Sequence, residues 1–457
     1  MAQALDIIIL AAGKGTRMLS ERPKVLHELA GKALLQHVLD TAKALDPALI
    51  CVVYGYGGEA VPQAIADSSI KMVKQEPQLG TGHAVQQVLP HLSEKHVTLV
   101  LYGDVPLINR ETLRPLIRVA QDNKVSLLTI EMENPQGYGR IIREGGKVKR
   151  IVEEKDASPE ERRVTEVNTG IMVLPNRFLP AWLAALKNSN AQGEYYLTDV
   201  ISLAASAGVE VVTAHPAHHR EVLGVNSKGQ LAQLERMYQQ EHAARLLDSG
   251  VTLLDPQRID IRGELVCGRD VVIDVNCLFE GSVILGDGVK VGANCVLRDV
   301  NIGRECNIEP FSLLEKASMG AGCRIGPFAR IRPGTQLADE VHIGNFVEVK
   351  NSQVGFNSKI NHLSYVGDAT VGSRVNVGAG TITCNYDGAN KHRTVIEDGA
   401  FIGSDTQLVA PVKVGKGATI GAGSTITKDT PAGELTLSRA KQISISGWQR
   451  PLKKAKD

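Results

Sequence analysis

The stretch IGPFARIRPGTQLADEVHIGNFVEV, from Ile325 to Val349, carries an aliphatic residue at every sixth position: Ile325, Ile331, Leu337, Ile343 and Val349. Six is neither the period of a helix nor that of a strand. An aliphatic at that interval, with small or turn-forming residues between, describes a short strand followed by a corner. Three such units close one triangular coil of about 18 residues. Upstream the same interval links Cys267, Ile273, Phe279, Leu285, Val291 and Leu297; downstream it links Ile396, Ile402, Leu408, Val414, Ile420 and Ile426. Gly or Ala often follows the aliphatic, as at 286, 292, 326, 344, 403, 415 and 421. The phase slips by one residue at Ile302, Met319, Val354 and Val371, and a longer interruption holds Cys384 to Val395. About 160 residues of repeat give roughly nine stacked coils, each burying its aliphatics against its neighbours. Ligands must then bind outside the filled interior, on a face or at a boundary between subunits.

The rest of the chain is organised differently. Glycine falls 17 times in residues 1–228 and 26 times in the shorter stretch 251–457. Before the boundary, β-like runs (Asp6 to Leu10, Ile50 to Val53, Thr98 to Leu101, Ser126 to Ile130) alternate with helix-like segments (Val25 to Ala44, Gly82 to Leu89, Thr112 to Asp122). That alternation predicts βαβ units and a largely parallel, doubly wound α/β sheet. Between Ser227 and Gly250, Leu231, Leu234, Tyr238, Arg245 and Leu246 recur at three- and four-residue steps, predicting one amphipathic connecting helix. The division is therefore residues 1–228, a helical linker at 229–249, and the repeat with its tail at 250–457.

Composition removes several function classes. Lys plus Arg at 51 against Asp plus Glu at 50 leaves a formal charge of +1, which gives no electrostatic footprint for nucleic acid or an anionic membrane. The apolar run Ile7 to Ala12 is far shorter than the roughly 18 residues of a membrane span. Seven cysteines without a CxxC pair predict small buried hydrophobes in a reducing, cytoplasmic setting rather than disulfides or thiolate zinc sites. Lys453, Lys454 and Lys456 read as a solvated basic tail, and His218-His219 as part of a polar loop.

The strand Asp6 to Leu10 runs into Ala11-Ala12-Gly13-Lys14-Gly15-Thr16-Arg17-Met18, with Pro23-Lys24 beyond. Glycines after a strand let backbone N–H groups approach phosphate oxygens, and Arg17 and Lys24 add positive charge. Met18 stands where a dinucleotide fingerprint requires glycine, and no P-loop is present. Tyr102-Gly103-Asp104 follows the next apolar run and sets a carboxylate at the end of a parallel strand, where open sheets bind ligands. Asp104 is either a hard oxygen ligand suited to magnesium or a cap near Pro106.

Taken in order, Leu10 to Met18, Pro23 to His27, Gln75, Gly80 to Ala84, Tyr102 to Asp104, Gly137 to Arg140, Ile151 to Lys155, Asn168 to Gly170 and Gly224 to Asn226 resemble the sugar-1-phosphate nucleotidyltransferases. With the six-residue repeats, which are similar to the left-handed parallel β-helix of the hexapeptide-repeat acyltransferases, the resemblance extends over essentially the whole chain. It is to the bacterial bifunctional family that joins N-acetylglucosamine-1-phosphate uridyltransferase to glucosamine-1-phosphate N-acetyltransferase. The resemblance implies that Leu10, Ala11, Ala12, Gly13, Gln75, Gly80 and Thr81 hold the uridine of UTP, while Arg17 and Lys24 face its triphosphate. It implies that Tyr102 and Gly103 lie beside the substrate, that Asp104 and Asn226 ligate Mg2+, and that Gly139, Glu153 and Asn168 hold N-acetylglucosamine-1-phosphate. Without it, Glu153 reads as one member of the charged run Arg150 to Asp156.

In the repeat, Asn361-His362-Leu363-Ser364-Tyr365 replaces a plain hexad with polar, bulky groups. Acyl transfer from a thioester to an amine needs a base, and composition does not choose among 12 histidines. The resemblance selects His362 as that base. It places Arg332, Lys350, Tyr365 and Asn376 around glucosamine-1-phosphate, and Ala379, Asn385, Tyr386, Ser404, Ala422 and Arg439 around acetyl-CoA. Arg332 and Lys350, one coil apart, would stack on one face. The resemblance further implies a homotrimer with acetyl-transfer sites between subunits. Two other readings remain: a nucleotidyltransferase whose β-helix only oligomerises, and a non-enzymatic binding subunit built on the same two folds. Loss of His362, Asn385 or Tyr386 would favour the first, and loss of Arg17, Lys24, Asp104 or Asn226 the second; all seven are present.

Overall fold

The computed structural model describes residues 3–120 and 122–453; Lys454 and Lys456 lie outside them. The chain forms two compact units that divide between Tyr238 and Gln239.

The first unit is built on a nine-stranded sheet. Seven strands set its frame: β1 (Leu5–Leu10), β2 (Leu49–Tyr54), β3 (Lys71–Lys74), β4 (Val97–Tyr102), β5 (Val125–Glu131), β6 (Glu166–Pro175) and β7 (Val211–Ala214), in spatial order β7-β5-β6-β4-β1-β2-β3. All neighbours are parallel except β6, which runs antiparallel to both β4 and β5. A hairpin of Arg140–Glu144 and Lys147–Val152 extends the sheet beside β6. Alternate residues of one strand enter different cores. Ile7, Ile9, Leu99 and Leu101 pack with Leu35, Val38 and Leu39, whereas Ile8, Leu10 and Val100 pack with Val85, Trp182 and Ile201. Both faces are therefore covered, which explains why the strands read as continuous apolar runs rather than alternating ones.

The helix expected over Val25 to Ala44 begins only at Leu34. A 3-10 turn, Lys24–Leu26, and a two-residue hairpin, Glu28–Leu29 with Lys32–Ala33, precede it. The hairpin turn requires positive φ at Ala30 and Gly31, a local requirement that apolar periodicity does not register. The connecting helix spans Lys228–Asp248. It is not amphipathic in one sense throughout. Leu231, Leu234 and Tyr238 pack in the first unit, while Ala243 and Leu246 join the core of the second.

The second unit is a parallel β-helix whose short strands stack into sheets. Its core consists of three columns. One holds Ile273, Val291, Ile308, Ile325, Ile343, Ile360, Val377, Ile402 and Ile420. A second runs Ile261, Phe279, Leu297, Leu314, Ile331, Val349, Val366, and later Thr383, Leu408 and Ile426. The third runs Leu285, Ile302, Met319, Leu337, Val354, Val371, Ile396 and Val414. All four phase slips stand in the third column, so they remove one residue from the same corner, the one between the second and third columns. The insertion Cys384 to Val395 enlarges that corner. Phe311, Phe328 and Phe346 occupy the corner between the first and second columns. They have positive φ, and their exposed rings stack at 4.9 and 5.2 Å. At the start of the helix the buried amide of Gln239 donates to Ile261 O (2.9 Å) and accepts from Ile261 N (2.8 Å).

Among the described residues no helix is long and apolar enough to cross a membrane. All seven cysteines are free and five are buried; burial pushes the thiols of Cys51 and Cys277 up to about 12.

Candidate functional site

In the first unit, β1 and β4 end side by side. Ala11 N donates to Val53 O (2.8 Å) and Gly103 N to Leu10 O (3.0 Å), which places the Ala11–Gly13 and Gly103–Asp104 turns at the same edge. A cavity of about 640 Å³ opens there. Leu10, Ala11, Ala12, Gly13, Lys24, Gln75, Gly80, Thr81, Tyr102, Asp104 and Asn226 line it, together with Lys14, Thr16, Gln78 and Glu194, which the sequence reading had not selected. Arg17 stands exposed on the turn Thr16–Met18 and is not among the lining residues.

The loop at Gly80 is held from within. Gln75 is buried, and its amide donates to Gly80 O (2.9 Å). Gly80 has φ 106°, and a Cβ there would lie 2.6 Å from Tyr195 O, so no other residue fits without displacing backbone.

The charged floor is compact. Lys24 Nζ donates to Asp104 Oδ2 and to Asn226 Oδ1 (3.0 Å), with the Lys24 and Asp104 side chains only 14% exposed. A carboxylate and an amide oxygen, supplied by residues far apart in sequence, thus face one cation. This is a donor set of the kind that suits Mg2+ when substrate phosphates complete the coordination.

Beside it lies a second group. Asn168 N donates to Gly139 O (2.8 Å), a Cβ on Gly139 would touch Glu153, and Thr198 Oγ1 donates to Glu153 Oε1 (2.9 Å). Burial raises the Glu153 pKa, opposed by the Thr198 hydrogen bond. Tyr102 connects the two groups: burial and the charges of Glu153 and Asp104 push its hydroxyl pKa upward. Glu153 is therefore a half-buried, hydrogen-bonded side chain and not a solvated member of a charge run; neither it nor Gly139 nor Asn168 is among the residues lining the cavity.

In the second unit, the second column and the two corners flanking it gather most of the remaining candidates. Arg332 and Lys350 each follow a column residue on adjacent coils; Arg332 N donates to Val349 O (2.8 Å) and Arg332 Nη1 to Glu348 Oε1 (2.6 Å). Tyr365 pairs with Glu348 on the next coil. At one corner, His362 is exposed and its Nδ1 lies 2.9 Å from Asn345 Oδ1. An amide oxygen only accepts, so Nδ1 is the donor here, and in the neutral ring the lone pair lies on Nε2.

At the other corner Asn385 Nδ2 donates to Asp368 Oδ2 (2.5 Å) and approaches the Tyr365 hydroxyl (3.4 Å). Lys391, from the insertion, lies against Lys350, and this like-charge contact lowers its pKa. Tyr386 is exposed, with its hydroxyl on Gly388 O (2.6 Å).

Ala379, Ser404 and Ala422 continue the His362 corner along successive coils. Gly380 N meets His362 O, Asp405 N meets Ala379 O and Gly423 N meets Ser404 O; Arg439 Nη1 then donates to Ala422 O (3.0 Å). Asn376 precedes the first-column residue Val377 on the same strand, paired with Lys359 and Phe401. Asn345, Asp368 and Lys391 were missed from sequence because each meets its partner only across coils.

Three family models match the chain. Residues 7–253 match the MobA-like NTP transferase domain, residues 261–363 the GMPPB C-terminal domain, and residues 393–428 the bacterial transferase hexapeptide repeats. The protein named Bifunctional protein GlmU from Nitrosospira multiformis is 64% identical to this chain over 99% of each. Its namesake from Thiobacillus denitrificans is 64% identical over the whole of both, and that from an Azoarcus species 63% identical over 98% of this chain and all of its own.

Proposed function

The chain belongs to the family of bifunctional GlmU proteins, and from that membership we propose a role for each residue gathered above. It is a bifunctional transferase of UDP-N-acetylglucosamine biosynthesis. One half moves the acetyl group of acetyl-CoA to glucosamine-1-phosphate, and the other joins the resulting N-acetylglucosamine-1-phosphate to UTP with release of pyrophosphate.

In the first unit a sugar-phosphate oxygen attacks the α-phosphorus of UTP, and the bond to the departing pyrophosphate breaks. No protein nucleophile is needed, so catalysis consists of positioning and charge neutralisation. Leu10 to Gly13, Gln75, Gly80 and Thr81 hold the uridine; Lys24 and Arg17 meet the triphosphate; Tyr102 and Gly103 form the floor; Gly139, Glu153 and Asn168 receive the sugar. Asp104 and Asn226, whose oxygens already converge on the Lys24 ammonium, would hold Mg2+. When bound, that ion supplies Lewis-acid stabilisation of phosphate charge.

In the second unit the sugar amine attacks the thioester carbonyl; the C–N bond forms, the C–S bond breaks and coenzyme A leaves as thiolate. His362 Nε2 accepts the proton released from nitrogen. Arg332 and Lys350 bind the sugar phosphate with Tyr365 and Asn376 beside it, while Ala379, Asn385, Tyr386, Ser404, Ala422 and Arg439 carry acetyl-CoA. The working molecule is a cytoplasmic homotrimer with these sites between subunits, and takes neither nucleic acid nor membrane as partner.

The observation that carries this reading is the meeting of Lys24, Asp104 and Asn226 in the cavity at the end of the first unit's sheet. Thiol release from acetyl-CoA with glucosamine-1-phosphate, and pyrophosphate release from UTP with N-acetylglucosamine-1-phosphate, test it. His362→Ala is expected to silence the first assay and spare the second, and Asp104→Ala to do the reverse. Loss of both activities in either folded variant would refute the division of labour.

A further inference from the structure

The corner that carries the insertion holds a carboxylate which the roles above leave unused. Asp368 is buried. Its Oδ1 accepts from Asn351 Nδ2 (2.6 Å) and its Oδ2 from Asn385 Nδ2 (2.5 Å); its backbone N–H donates to Lys350 O (3.0 Å) and its carbonyl accepts from Thr394 N (3.2 Å). It therefore contacts both flanks of the insertion and the coil that bears Lys350. Burial works against its charge, but the hydrogen bonds from Asn351 and Asn385, with Lys350 and Lys391 nearby, outweigh that and hold the carboxyl below the usual range.

An ionised carboxylate only accepts hydrogen bonds. Asn385 must therefore present its Nδ2 to Asp368, and its amide has one permitted orientation. In that orientation Oδ1 accepts from no described residue; the side chain as a whole is buried, but this oxygen is not completely shut off from solvent. It is a fixed acceptor without a partner at the corner where the second column meets the insertion.

We infer that Asp368 is a positioning residue for acetyl transfer: by engaging the N–H edge of Asn385 it turns the Asn385 carbonyl outward to accept a hydrogen bond from the attacking amine. The inference rests on the reading that this half transfers an acetyl group. The amine then approaches the thioester with one N–H directed at Asn385 and its lone pair directed at carbon, while His362 takes the proton that is lost.

A double-substitution cycle on the full chain tests this. Asp368→Asn, nearly isosteric, lets the Asn385 amide present either edge. The kcat for thiol release is expected to fall at least tenfold. The KM for glucosamine-1-phosphate should not rise, since a negative charge beside Lys350 and Lys391 has been removed. Asn385→Asp keeps an acceptor directed outward whichever way the side chain turns, but sets a second carboxylate against Asp368, which also only accepts. In that background Asp368→Asn restores a donor–acceptor pair, and kcat is expected to stay level or recover rather than fall. An equal loss in both backgrounds, or a loss residing in KM, would show that Asp368 only supports the fold and would overturn the inference; so would an unchanged kcat in Asp368→Asn. If the single variant does not fold, the double variant against Asn385→Asp alone still decides, with a further tenfold loss counting against it. Absence of thiol release by the parent chain would instead overturn the acetyl-transfer reading itself.

Discussion

Glu153 pairs a stability cost with the sugar-binding role proposed for it. Its side chain is half-buried, and its pKa is raised because desolvation disfavours the charged form. An acid raised in the folded state favours folding at low pH, and that contribution is lost as pH rises through the folded pKa. At neutral pH the charge therefore costs stability. Glu153→Gln keeps an oxygen for Thr198 and removes the charge. Thermal unfolding is expected to move up by about 2 °C, while the KM for N-acetylglucosamine-1-phosphate rises at least tenfold in the pyrophosphate assay. Lys24 offers a second case, since its ammonium stands where Asp104 and Asn226 oxygens converge. Removing it with Lys24→Ala leaves the carboxylate uncompensated. Mn2+ is expected to bind the free variant more tightly than the parent by titration calorimetry, while pyrophosphate release falls about 100-fold for want of charge at the triphosphate.

In the second core column an aliphatic residue gives way to Thr383. Its hydroxyl accepts from Gly367 N (2.8 Å) and donates to Gly367 O (3.0 Å), standing in for the ladder bond partners of that coil. Thr383→Val restores the aliphatic pattern and yet is expected to destabilise by about 1–3 kcal/mol, because two buried backbone groups lose their partners. Ile343→Val, at a column position with no such duty, is expected to cost only about 0.5–1.5 kcal/mol; urea titrations of both variants compare them. The columns were legible in the sequence because a residue's place in its hexad determines which sheet it joins, and even the slips at Ile302, Met319, Val354 and Val371 were visible as breaks of period. Asn345, Asp368 and Lys391 were not legible, since the bonds they make depend on which coil lies above them. In the first unit, the runs ending at Leu10 and Leu101 announced their strands. The hairpin at Glu28 and Ala33 escaped because turn dihedrals at Ala30 and Gly31, not periodicity, decide it.

Each unit has its own buried core: two layers around a sheet in the first, three columns in the second. Separate cores predict separate melting. Calorimetry is expected to resolve two transitions, with UTP and Mg2+ raising only one and acetyl-CoA only the other, by the usual linkage of ligand to the state it binds. A ligand that raised both equally would reveal energetic communication between the units. One contact bears on the molecule's solubility. Among the described residues, strand Ile259–Cys267 pairs on one side only, with Cys277–Leu285, and a solenoid has no inherent reason to stop adding rungs there. Gln239 supplies the stop: its amide offers Ile261 the same donor and acceptor that another strand would, so an incoming chain finds that position taken. The helix that packs Ala243 and Leu246 against the first coil thus also carries, in Gln239, a polar plug for the edge where another chain could otherwise add a rung.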